Sequence, residues 1–196
     1  MTDISLRLFI ELTLPATVVA ELGRIQRACR AHTPEGVVRW VPPEGVHLTV
    51  RFLGDVARDR QPLVEAAIAA AVRDAPGEKR LALGAYGTFP GGKAAPRVLF
   101  VGLRDLDGSL PAVAQALDRS LAAAGWPAEG RPYRPHLTLG RVREGLRPAQ
   151  ITALRGAMTD WAPPPSFAFD ARQLALMRSE LAPGGSRYSR LYAAAL

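Results

Sequence analysis

Two tetrapeptides, His47-Leu-Thr-Val50 and His136-Leu-Thr-Leu139, stand 89 residues apart in a chain of 196. Each lies in an alternating stretch, Val46 to Leu53 and His136 to Val142, that predicts a strand. Successive side chains of a strand point to opposite faces. His47 and Thr49 therefore share one face, and Leu48 and Val50 the other. His136 and Thr138 repeat the arrangement. The leucines are expected to face the core and the His–Thr pairs a cleft. Upstream of the motifs, Leu6–Leu12 resembles Val98–Leu103, with Phe9 matching Phe100. A repeat this long is no solenoid. It predicts two similar α+β lobes facing each other, with no low-complexity linker between them. Residues 1–196 are expected to form one domain of two pseudo-symmetric lobes around a central cleft.

Periodicity fills in the remaining elements. Helices are predicted from Pro15 to before Pro34, over 61–74, over 110–124 and over 148–159. Further strands are expected at 37–40, 81–89, 167–177 and 187–193. Gly54 is expected to close the first motif strand. Pro90-Gly91-Gly92 and the Pro/Gly-rich stretch 126–135 read as loops. Gly91-Gly92-Lys93 matches no phosphate-binding consensus. A hydrophobic fraction of 48% supplies a core and excludes disorder of the whole chain.

Two imidazoles and two hydroxyls facing each other make an acid–base device that needs no metal. One neutral His can take a proton from water while one protonated His gives a proton to a leaving oxygen. The Thr hydroxyls can donate to phosphate oxygens, and arginine suits such an anion through its bidentate fork. A single His in a strand is ordinarily structural; the duplicated frame favours catalysis. No third His or nearby carboxylate completes a metal-ligand set with His47 and His136. The remaining histidine, His32, falls near a predicted helix C-terminus, where an imidazolium complements the helix dipole.

The paired His-x-Thr frames resemble those of the 2H phosphoesterase superfamily. The wider context is similar to the bacterial and archaeal RNA 2′,3′-cyclic phosphodiesterases of the LigT type, once named 2′–5′ RNA ligases. It comprises Arg39-Trp40, Pro43-Glu-Gly-Val-His-Leu-Thr-Val-Arg-Phe-Leu-Gly54, Phe89-Pro90, Pro96-Arg-Val-Leu-Phe-Val-Gly-Leu103 and Pro135-His-Leu-Thr-Leu-Gly-Arg141. The resemblance covers most of the chain. It implies a bilobal α+β fold in which two antiparallel sheets line a central cleft and helices lie outside. It implies metal-free, cofactor-free hydrolysis of 2′,3′-cyclic phosphate ends to 2′-phosphates. By position it makes His47 and His136 the catalytic pair, gives Thr49, Thr138 and Arg141 to the phosphate, and stacks Phe52 on the terminal base. The family's usual assignment makes the first His the acid and the second the base. The symmetric motifs themselves leave the two roles open.

Two of these positions conflict with strand geometry. Phe52 and Arg141 each lie five residues beyond a motif histidine, and an odd offset turns a side chain to the opposite face. A bulge would restore it, and Gly140 could supply one beside Arg141. Otherwise Phe52 packs in the core. Arg143 is a rival phosphate ligand, Tyr133 and Arg134 are candidates for the cleft mouth, and Trp40 either stacks a base or packs.

The net charge is +7, and 23 of the 25 basic residues are arginine. A basic surface favours RNA and phosphate esters, although an Ala-, Gly- and Pro-rich chain can owe its arginines to genome composition. The lone Cys29 excludes an intrachain disulfide and a thiolate zinc site, and fits a reducing cytoplasm. No apolar run reaches membrane-helix length, and the N-terminus lacks a secretory pattern. The expected partners are RNA ends or cyclic nucleotides, and the expected state is a monomer. Two other readings remain: a 2H enzyme for a small cyclic nucleotide or a 2′–5′ oligoadenylate, and a non-catalytic RNA-binding module.

Overall fold

A computed structural model describes residues 5–130, 132–182 and 185–196. Its elements run β1 (Ser5–Leu12), α1 (Ala16–His32), β2 (Val38–Trp40), β3 (Leu48–Ala57), α2 (Gln61–Asp74), β4 (Lys79–Phe89), β5 (Val98–Asp105), α3 (Leu110–Ala123), β6 (His136–Val142), α4 (Pro148–Thr159), β7 (Ala168–Ala171), β8 (Gln173–Ala182) and β9 (Gly185–Ala195). A four-stranded sheet has the order β3-β1-β8-β9, and a five-stranded sheet the order β2-β6-β5-β4-β7. All pairings are antiparallel. The α+β, two-sheet expectation holds.

The halves exchange elements. β3 pairs with β1 in one sheet and β6 with β5 in the other. A later strand of each half then completes the opposite sheet: β4 joins β5, and β8 joins β1. The helices follow the same rule. α1 reaches across to β6 through Gln26, while α2 packs on β8, β9 and α3. Their apolar stripes, Val18, Leu22, Ile25 and Cys29 on α1 and Val64, Ala67, Ile68 and Ala71 on α2, are buried. Burying such stripes, more than helix propensity, holds the helices in place.

Three expectations need correction. β3 continues through Gly54 to Ala57, because Gly54 takes φ +69°, a conformation glycine accepts without strain. The single strand predicted at 167–177 is two. β7 lies in the five-stranded sheet and β8 in the four-stranded one, with Arg172 between them. The apolar alternation of Phe167, Phe169 and Ala171 breaks at Arg172-Gln173 and resumes out of phase at Leu174 and Leu176, which marks the change of sheet. Finally, the internal repeat is in register at 89 residues throughout. The pair Glu11–Thr49 corresponds to Phe100–Thr138, Ile10–Arg51 to Leu99–Gly140, and Phe9–Phe52 to Val98–Arg141. The match of Phe9 with Phe100 is thus displaced by two positions.

Candidate active site

The two motifs sit at equivalent places. Leu48, Leu137 and Leu139 are fully buried behind them, and the His and Thr residues face the cleft half-exposed. The imidazoles are anchored identically. His47 Nδ1 donates to the Gly45 carbonyl at 2.9 Å, and His136 Nδ1 to the Arg134 carbonyl at 2.7 Å. A carbonyl can only accept, so Nδ1 keeps its proton and Nε2 is the titrating atom that faces the cleft. Each ring rests among aromatic rings. His47 lies 4.6 Å from Phe9 and 4.9 Å from Tyr188. His136 lies 4.9 Å from Phe89 and 5.3 Å from Phe100. Gly87 makes room for this second floor: a Cβ there would meet the Phe100 ring at 2.3 Å.

A bulge in each motif strand resolves the conflict over Phe52 and Arg141. Thr49 faces Glu11 and Arg51 faces Ile10, leaving Val50 as an extra residue. Thr138 faces Phe100 and Gly140 faces Leu99, leaving Leu139 extra at the corresponding place. An extra residue reverses the alternation beyond it. Phe52 consequently stands on the histidine face, 59% exposed, with its ring 5.8 Å from Phe9. Arg141 is likewise exposed on the face of His136 and Thr138. Arg143 has the same parity but lies past the end of β6.

The bulge in β3 also turns Arg51 away from the cleft. Its buried guanidinium meets Asp118 of α3 at 3.0 Å. Tyr133 lies on this far side as well, bordering a cavity of about 400 Å³ with Val50, Arg51 and Leu110. Its hydroxyl donates to the Thr49 carbonyl at 3.1 Å, tying the loop before β6 to β3. It does not line the cleft mouth. Arg134 contributes its carbonyl to His136, and its side chain is exposed. Trp40 packs 6.2 Å from Trp161 with the Arg30 guanidinium over its ring, the packing alternative. His32 is exposed in the last turn of α1. Arg155 donates to the carbonyls of Lys93 and Ala94, fastening the glycine loop to α4.

Burial, together with the positive charges of His136 and Arg141, holds the His47 pKa below the usual imidazole value, against the raising effect of the Gly45 carbonyl. The three groups therefore lie within electrostatic reach across the cleft. Among the described residues, no group of three or more His, Cys, Asp or Glu forms a metal-ligand set. None of their helices is long and apolar enough to cross a membrane.

One acid escaped the sequence reading. Glu11 is buried on β1, directly opposite Thr49 and two residues from Phe9, hence on the cleft face. Burial pushes its pKa up to about 7, with Arg190 opposing. The signal available was an acid inside the apolar run Leu6 to Leu12. A carboxyl raised in the fold binds its proton more tightly there than in the unfolded chain. Wild-type stability should therefore fall as pH rises from 4.5 through 7, by up to about 3 kcal/mol. Glu11→Gln should remove that slope and match the wild type near pH 4. Urea unfolding at pH 5 and pH 8 checks it; parallel curves would show Glu11 ionised in the fold.

The model of the 2′-5′ RNA ligase superfamily matches residues 14–182. The chain belongs to this superfamily. An RNA 2′,3′-cyclic phosphodiesterase of Thermus thermophilus is 32% identical, the match covering 95% of this chain and 88% of that protein. The same-named protein of Geobacillus stearothermophilus is 34% identical over 72% of this chain, and the match spans only 43% of that relative's length. Among solved structures, TT0787 of Thermus thermophilus aligns with a TM-score of 0.77 and 27% identity, covering 97% of both chains. Escherichia coli LigT complexed with 3′-AMP aligns with a TM-score of 0.75 and 26% identity, covering 98% of this chain and 99% of that one.

Proposed function

We propose that the chain hydrolyses RNA ends bearing a 2′,3′-cyclic phosphate to 2′-phosphates, using His47 and His136 as its acid and base. The reading rests on one observation above all. Two identically anchored imidazoles stand on equivalent strands, each with its threonine on the same face, and His136 and Arg141 both act electrostatically on His47. The names of the curated relatives point the same way.

In this mechanism water attacks phosphorus in line with the 3′ oxygen. His136 Nε2 takes the water proton, the bond from phosphorus to the 3′ oxygen breaks, and His47 Nε2 protonates that oxygen. The products are a 2′-phosphate and a 3′-hydroxyl. Thr49, Thr138 and Arg141 hold the non-bridging oxygens as charge grows on them. The exposed Phe52 ring stacks on the terminal base. With an RNA 5′-hydroxyl in place of water as the nucleophile, the same site opens the cyclic phosphate and joins ends through a 2′–5′ bond, leaving a 3′-hydroxyl. We read residues 1–196 as one catalytic unit, because each half completes the other's sheet. The setting this implies is a monomer in the cytoplasm, with Cys29 buried and reduced.

The test is an oligonucleotide with a 2′,3′-cyclic phosphate end, incubated in excess EDTA. Quantitative conversion to the 2′-phosphate is expected. Turnover abolished by the chelator, or a 3′-phosphate product, refutes the mechanism.

A further inference from the structure

β2 places Arg39 directly opposite Arg141 of β6. Residues directly opposite on antiparallel strands share a face, and two like charges there repel. Both guanidiniums are exposed, and neither is joined to an acid among the described residues. They open onto a groove of about 870 Å³ between β2 and the β8–β9 hairpin. A third arginine, Arg187, lines it from β9, next to the Tyr188 ring that contacts His47. Among the described residues, Glu44 is the one acid on its wall. The groove thus begins at the reacting phosphate, through Arg141, and carries two further positive charges beyond it. An anion between the strands removes the repulsion of the Arg39–Arg141 pair, and a planar fork is suited to phosphate.

We propose that Arg39 and Arg187 bind an internucleotide phosphate of the substrate strand in this groove, so that the protein selects RNA ends over cyclic mononucleotides. The inference rests on the phosphodiesterase reading and names the part of the site that sets its substrate size. A mononucleotide with a cyclic phosphate fills only the catalytic cleft and leaves the groove empty. A cyclic-ended trinucleotide fills both. The preference between them is therefore a property of Arg39 and Arg187.

The experiment compares kcat/KM for a 2′,3′-cyclic mononucleotide and a trinucleotide ending in the same nucleotide. It uses wild type, R39A, R187A and the double variant, with folding checked by circular dichroism. Wild type should prefer the trinucleotide, and the double variant should lose about 10-fold of that preference, mainly in KM. Its log KM against log salt should flatten by roughly 0.7 for the trinucleotide, one phosphate contact of a single strand. Arg39→Lys keeps the charge but not the fork, and should fall between. Three results overturn the inference: no wild-type preference, a preference that survives the double variant, or an equal loss for both substrates, which would put Arg39 on the reacting phosphate. A wild type that hydrolyses neither substrate would instead sink the phosphodiesterase reading itself.

Discussion

Alanine in place of His47 or His136 should each lower kcat for a cyclic-ended RNA by about 10²- to 10⁴-fold, with little change in stability. The loss in the double variant should fall well short of the product of the two, because acid and base serve one transition state. The two singles should separate on a substrate whose 3′ bridging oxygen is sulfur. A thiolate leaves without a proton, so His47→Ala should recover most of its activity there and His136→Ala none. Equal recovery would mean that the roles are not divided as proposed. The charge state of His47 gives a second check. In the free protein its pKa is held down by burial, His136 and Arg141, so most of it is neutral at pH 7. An acid must hold a proton in the complex. A bound phosphate places negative charge beside His47, opposing the effect of burial and of Arg141, and should drive the pKa up. Following the His47 ring by NMR with and without a 2′-nucleotide reads this directly. A pKa that stays below 6.5 in the complex would make His47 the base.

The chemistry of this site was legible in the sequence where it depended on local alternation. His47 and Thr49, or His136 and Thr138, need only a short regular strand to share a face. Their convergence needed the repeat, which both motifs display. Phe52 and Arg141 were a different case. Their faces depend on Val50 and Leu139 having no partner across the ladder. That is decided by pairing with β1 and β5, which are distant in the chain from the motif strands. The merged β7 and β8 differ again: the alternation of 167–177 does shift phase at Arg172-Gln173, but that the two parts join different sheets is decided by pairing with β4 and β1. Glu11 was hidden for the opposite reason. An acid in an apolar strand reads as the exposed position, whereas here the adjoining cleft face is itself half-buried. Tyr133 reads as a cleft residue by its nearness to His136 in the chain, yet the loop carries it to the far face of β3.

The bulge at Leu139 is held from behind by one side chain, and that side chain should matter to phosphate binding. Gln26 of α1 is 2% exposed. Its amide donates to the carbonyl of Leu139 at 2.9 Å and to that of Val41 at 2.7 Å. The backbone N–H of Val41 also donates to the Leu139 carbonyl, at 2.9 Å. Gln26 thus clamps the extra residue to the chain leaving β2. The next residue, Gly140, could not carry a side chain, since a Cβ would meet Val38 Cγ1 at 2.6 Å. Gln26→Leu keeps the bulk and removes the donors, leaving a buried carbonyl short of a partner at about 1–3 kcal/mol. It should also loosen the turn that aims Arg141 at the cleft. The expected result is a fall of about 10-fold in kcat/KM, carried mostly by KM, with Gln26→Glu no better because a carboxylate donates nothing. A merely destabilising change would lower Tm without moving KM in the folded protein. The decisive measurement is a double-mutant cycle. If Gln26 acts through Arg141, then Gln26→Leu should add almost nothing to the defect of Arg141→Ala. Full additivity would place the effect of Gln26 elsewhere, for instance on His136 or Thr138.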